Sequence, residues 1–179
     1  MPTRPVTKRW ARLGERDRRD LFHPSDAGVC LSTFLVVRRG NDILMGKVRG
    51  TKDWPEKGGF PRYRALQLEQ DDAWLLPATH LQMEEHPDHA AKRIAHEWAG
   101  LSGTPKFISL QSHVRTSPAS RKSGKGGHWD LCFVYELKAA KAPKLKPWWS
   151  QMRFVPRSQI KKLKTGRGHL DVLTQAGFA

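Results

Sequence analysis

Four histidines, His80, His86, His89 and His96, crowd one short stretch together with Glu84, Glu85 and Glu97. Imidazole and carboxylate are the donor types of a transition-metal site. None of these pairs forms the His-Glu-x-x-His arrangement that sets two rings on one helix face, so a zinc centre is not expected. Cys30 and Cys132 sit in apolar runs with no Cys-x-x-Cys or Cys/His spacing. That pattern predicts buried free thiols in a reducing compartment, with a cytoplasmic location. Lys122-Ser123-Gly124-Lys125-Gly126-Gly127 has a phosphate-cradling composition but lacks the GxxxxGK[ST] spacing and a following helix. It remains a basic loop that either clamps phosphate, with Arg115 and Arg121, or is a solvated tip. The acids able to hold a hard dication are Glu84, Glu85, Glu97, Asp130 and Glu136, with Asp53, Glu56, Asp71 and Asp72 upstream. No acid stands between Glu97 and Asp130, or between Glu136 and Asp171. Trp148-Trp149 offers rings for stacking on a base, although aromatics beside a strand more often pack into a core.

These groups need a scaffold, and 179 residues with 38% hydrophobic and 27% charged composition suffice for one soluble domain with a sizeable core. The longest apolar run, Phe34 to Val37, is far short of the ~20 residues of a membrane span. The basic start is followed by no apolar stretch and is interrupted by Glu15, Asp17 and Asp20, so neither a secretory signal nor a transit peptide is expected. Residues 1–27 read as a basic N-terminal extension and 28–179 as the folded domain. Residues 30–37 and 43–48 flank the turn sequence Arg39-Gly40-Asn41-Asp42 and predict a β-hairpin. Residues 49–72, rich in Gly, Pro and charge, read as a long surface insertion. Pro87 to Ala99 is the best-marked helix. Pro87 suits the first helical position, Asp88 complements the dipole, and Gly100 closes it. Ala91, Ile94, Ala95 and Trp98 share one face. Strands are expected over 107–114, 128–137 and 152–155, with a basic loop over 115–127. Two helices are expected to end the chain, over 158–164 and 169–176.

Residues 79–101 resemble, in degenerate form, the signature box of the Nudix hydrolase superfamily. That box reads Gly, five residues, Glu, seven residues, Arg-Glu-U-x-Glu-Glu-x-Gly-U, with U a bulky aliphatic. Gly100-Leu101 fall on the closing Gly-U, which places Arg93 on the Arg, Glu85 on the first Glu and Glu97 on the first of the late pair. Trp74-Leu75-Leu76-Pro77 resembles the Trp-x-x-Pro lead-in that the family often shows. A rival placement on Gly58-Gly59 fails, because Arg64 or Ala65 then stands where Glu is required. Three positions depart from the pattern: Thr79 replaces the leading Gly, Ile94 a Glu, and Trp98 another Glu.

The resemblance implies an α/β/α sandwich with a mixed sheet between helices. It also implies that the box glutamates hold Mg²⁺ or Mn²⁺ against a diphosphate, where the ion neutralises charge and activates water. With two of three such positions apolar, and spaced to neighbour each other on the helix, metal-dependent hydrolysis is expected to be weak or lost. Glu85 and Arg93 resemble the family's structural pair. The favoured expectation is a domain that binds a nucleoside diphosphate-linked ligand or an RNA 5′ end. The alternative is an active Mg²⁺- or Mn²⁺-dependent pyrophosphohydrolase using a rearranged set. Glu97 and Glu84 would then be its catalytic groups, and Glu97, Glu84 and Glu85 its metal ligands.

Charge bears on the partner. Lys plus Arg number 32 against 17 acids, a net +15. Ten bases and no acid lie between Lys138 and Arg167, and Arg115, Arg121, Lys122 and Lys125 stand in another acid-free segment. Such a field favours a nucleotide or other polyanion and leaves an RNA-associated structural role as a further alternative, while the bland reading is solubility. No membrane partner is expected.

Overall fold

The computed structural model describes residues 12–13, 29–50, 62–82, 84–115 and 128–179. Eight strands form one mixed sheet: β1 (Arg12–Leu13), β2 (Val29–Arg39), β3 (Asp42–Val48), β4 (Trp74–Leu75), β5 (Ala78–His80), β6 (Lys106–Arg115), β7 (His128–Lys138) and β8 (Trp149–Pro156). Among the described residues three α-helices accompany it, α1 (Arg62–Gln70), α2 (Pro87–Ala99) and α3 (His169–Gln175), with a 3-10 turn over Arg157–Lys162.

The path through the sheet is β4-β3-β2-β7-β6, and β8 lies against β3. At its centre β2 and β7 run parallel from Val29↔Trp129 to Arg38↔Lys138. Along its other edge β2 meets β1, then β5, then β3, all antiparallel.

Both faces of the central strands are covered, which explains why β2 reads as a continuous apolar run rather than an alternation. Leu35, Val37, Leu44, Tyr135 and Leu137 join Ile94, Trp98 and Trp149 on the α2 face. Phe34, Val36, Ile43, Met45, Cys132 and Val134 meet Ile160, Val172 and Leu173 on the α3 face. Helix, sheet and helix are therefore stacked as the sequence implied.

Four elements differ from expectation. The stretch expected as insertion contains α1, anchored by buried Ala65 and Leu68; residues 51–61 of it lie outside the described residues. A three-residue strand, β5, follows Pro77. Strand β8 starts at Trp149 rather than 152. The helix expected over 158–164 is a 3-10 turn with Ile160 as its buried residue. Of the 115–127 loop, only the backbone of Arg115 is described. No helix among the described residues is long and apolar enough to cross a membrane.

Candidate functional site

Helix α2 is where the box residues converge, and its ends are set by local chemistry. His86 caps it, Nδ1 accepting from the Asp88 amide at 3.2 Å, and Pro87 opens the first turn. Gly100 ends it in the left-handed region at φ 62°, where a Cβ would stand 2.6 Å from that of Lys144. Asp88 also accepts from the buried Tyr135 hydroxyl at 2.5 Å, which pins the first turn to β7. Burial and this carboxylate raise the phenol's pKa well above its usual range.

Arg93 turns back to the loop before the helix. Its Nε donates to Glu85 Oε1 and its Nη2 to Glu85 Oε2, both at 2.7 Å, and Nη2 also donates to the His80 carbonyl at 3.2 Å. The Gln82 amide donates to Glu85 Oε2 at 2.9 Å. Each partner's side chain is only 11% exposed. Burial alone would raise the Glu85 pKa. The Arg93 and Gln82 hydrogen bonds, with the charges of Arg93 and His89, outweigh it and hold the carboxyl below its ordinary value. This bidentate clasp ties the 80–85 loop to the helix.

The opposite fate befalls the positions where the resemblance puts metal-binding glutamates. Ile94 is 0% exposed and Trp98 1%, both within the core on the α2 face. The Trp98 ring meets Trp149 edge-on at 5.5 Å and Trp148 at 6.2 Å, while its carbonyl accepts from Trp149 Nε1 at 2.9 Å. Trp149 in turn lies over Gly46, where a Cβ would come within 2.7 Å of the ring. Of the two readings of Trp148-Trp149, the structure makes packing the role of Trp149. Thr79 is buried in β5, opposite Thr33 of β2.

The remaining acids are scattered in role. Glu97 is half-buried on α2, and Glu84 is exposed in a turn at φ 59°. Glu85 has both oxygens committed to Arg93. Among the described residues, Glu84, Glu85 and Glu97 do not form a three-donor cluster. A hard dication against a diphosphate needs several anionic oxygens; of the three α2 positions where the resemblance puts glutamates only Glu97 carries a carboxylate, so this donor set does not fit the family's metal. Arg115 ends β6, and Arg121, Lys122 and Lys125 lie outside the described residues. Cys30 and Cys132 are buried free thiols.

No family model matches the chain, and no curated protein matches it in sequence. Solved structures do match. The MutT protein from Methanosarcina mazei Go1 superposes with a TM-score of 0.59 at 12% identity, covering 83% of this chain and 93% of that one. The MutT protein from Bacillus halodurans gives 0.56 at 15% identity, covering 81% and 80%. The NUDIX domain of Shewanella oneidensis NrtR, complexed with ADP ribose, gives 0.54 at 12% identity, covering 83% and 85%. Mixed sheet, flanking helices and these likenesses together define the class: the chain has the Nudix fold.

Proposed function

We propose that this chain is a Nudix-fold binding domain in which hydrolysis is weak or lost. Its ligand would be a nucleoside diphosphate-linked compound or the phosphorylated 5′ end of RNA. One observation carries the reading. Ile94 and Trp98 are sealed into the core, while the Glu85–Arg93 clasp that shapes the loop is intact. A decaying site would leave polar or exposed residues at the lost positions; here both are apolar and packed. Among the described residues the box carboxylates are not assembled into a cluster that would hold the ion, so the reading includes no metal-dependent step.

The polyanionic ligand class is supported by charge. Lys138, Lys141, Lys144, Arg153, Arg157 and Lys161 are all exposed in the acid-free segment, and a basic surface attracts phosphates at range. The ADP ribose bound by the Shewanella oneidensis domain belongs to the same chemical class.

The test is product release from nucleoside diphosphate-linked compounds and 5′-capped RNA, with Mg²⁺ or Mn²⁺ and with Glu97→Gln alongside. Calorimetric binding to the same panel is measured in chelator. Silence in turnover with chelator-resistant binding supports the proposal. Metal-dependent turnover that vanishes in Glu97→Gln overturns it in favour of a rearranged hydrolase using Glu97, Glu84 and Glu85. Binding of long RNA alone, with a steep salt slope, would move the assignment to an RNA-associated structural module.

A further inference from the structure

The sheet face opposite α2 carries a different donor set. Cys30 stands near the start of β2, His80 is the last residue of β5, and Asp130 is the third residue of β7. Register brings them together. Cys30 is the direct partner of Asp130, and His80 is the direct partner of Ser32, two residues along β2 from Cys30. Opposed residues share a face, and so do residues two apart on a strand. All three therefore lie on the side of Phe34, Val36 and Cys132, which is covered by α3.

One donor atom from each, a thiol sulfur, a ring nitrogen and a carboxylate oxygen, lie within 4.8 Å of one another. Cys30 is 2% and His80 6% exposed, and Asp130 is half-buried. A tetrahedral zinc with bonds of about 2.0–2.3 Å sets its donors about 3.5 Å apart. Closing onto an ion thus requires each donor pair to contract by no more than about 1.3 Å.

We infer that Cys30, His80 and Asp130 form a binding site for a borderline-soft divalent cation, zinc above all. The donor chemistry selects the ion: sulfur and imidazole suit Zn²⁺ and disfavour Mg²⁺ and Ca²⁺, which take oxygen. Binding replaces the thiol proton of Cys30 by the metal and releases that proton to solvent. Three protein donors leave one tetrahedral position for water or an anionic group, the arrangement of an open zinc site. His113 is the register partner of Asp130 on β6, and its ring bonds Gln111 at 3.1 Å. The site uses none of the box carboxylates as donors and does not rest on the proposed ligand, although the His80 carbonyl is held by Arg93 of the clasp.

The test uses the full chain, stripped of metal, titrated with Zn²⁺ by calorimetry and with Co²⁺ by absorption spectroscopy. One equivalent should bind, and Co²⁺ should give intense visible bands with a thiolate charge-transfer band. The chain has two cysteines, so Cys132→Ser leaves Cys30 as the one thiol. It should retain that band, and Cys30→Ser should lose it. Asp130→Asn should bind Zn²⁺ roughly tenfold more weakly or worse, while Glu97→Gln and the double variant His86→Ala/His89→Ala should bind as the parent does. Circular dichroism checks that each variant folds. Should Cys30→Ser unfold, the band in Cys132→Ser decides. Absence of stoichiometric binding, a Co²⁺ spectrum without a thiolate band, or loss of that band in Cys132→Ser would each overturn the inference.

Discussion

Replacing Trp98 probes the claim that a metal edge has become a packed contact. A buried indole removes about 150–250 Å² from water, which at about 25 cal/mol/Å² corresponds to about 4–6 kcal/mol as an upper figure. Trp→Ala in a core typically costs about 3–5 kcal/mol. For 179 residues, where each kcal/mol moves Tm by about 2–4 °C, Trp98→Ala should melt about 6–20 °C lower. Trp98→Glu, which installs the residue that the Nudix box has at this position, should be worse, because a carboxylate replaces a ring beside Trp148 and Trp149. Glu97→Gln one position away, half-buried, should cost about 1 kcal/mol or less. The assay is urea unfolding followed by far-ultraviolet circular dichroism, since removing one of seven tryptophans alters fluorescence directly. A Trp98→Glu midpoint equal to the parent's would refute the reasoning. The position would then open to water at little cost, and the helix would retain a latent metal edge.

Two further outcomes follow from the same contacts. The Glu85 carboxyl lies below its ordinary value in the folded state, so its contribution is present above the unfolded pKa of about 4.3 and lost as pH falls through the folded one. Glu85→Gln should therefore be less stable than the parent by about 3 kcal/mol near neutrality. The gap should shrink on acidification below about pH 4, and urea midpoints across that range that keep a constant gap would exclude the mechanism. Gly100→Ala should cost about 1–3 kcal/mol, because φ 62° disfavours a side chain and the new Cβ meets Lys144; an unchanged Tm would show that the cap relaxes freely.

Legibility in the sequence tracked how local each determinant was. Helix α2 was readable to its ends because Pro87, Asp88 and Gly100 act within one turn. Strand β2 was readable because burial on both faces makes its apolar run continuous. Helix α1 was hidden: two buried residues, Ala65 and Leu68, hold it amid polar neighbours, so no apolar stripe marks it. Strand β5 has three residues and exists only through its pairing with β2. The box substitutions showed which groups were missing, but that Trp98 meets Trp149 depends on a strand fifty positions downstream. The Cys30–His80–Asp130 cluster carries no spacing signal either, because three separate strands deliver it through register.

The parallel pairing of β2 with β7 also bears on how the molecule assembles. Each partner lies 100 positions further along the chain, as in Val29↔Trp129, whereas β2–β3 and β6–β7 are neighbours in sequence. Loop-closure entropy delays distant pairings. The β2–β3 hairpin can form early, but the β6–β7 hairpin and the centre of the sheet must wait until the C-terminal third has been synthesised. During that interval Leu35, Val36 and Val37, which end fully enclosed, lack the strand that covers their edge. A nascent chain of this protein is thus most exposed to misassociation just before its seventh strand emerges.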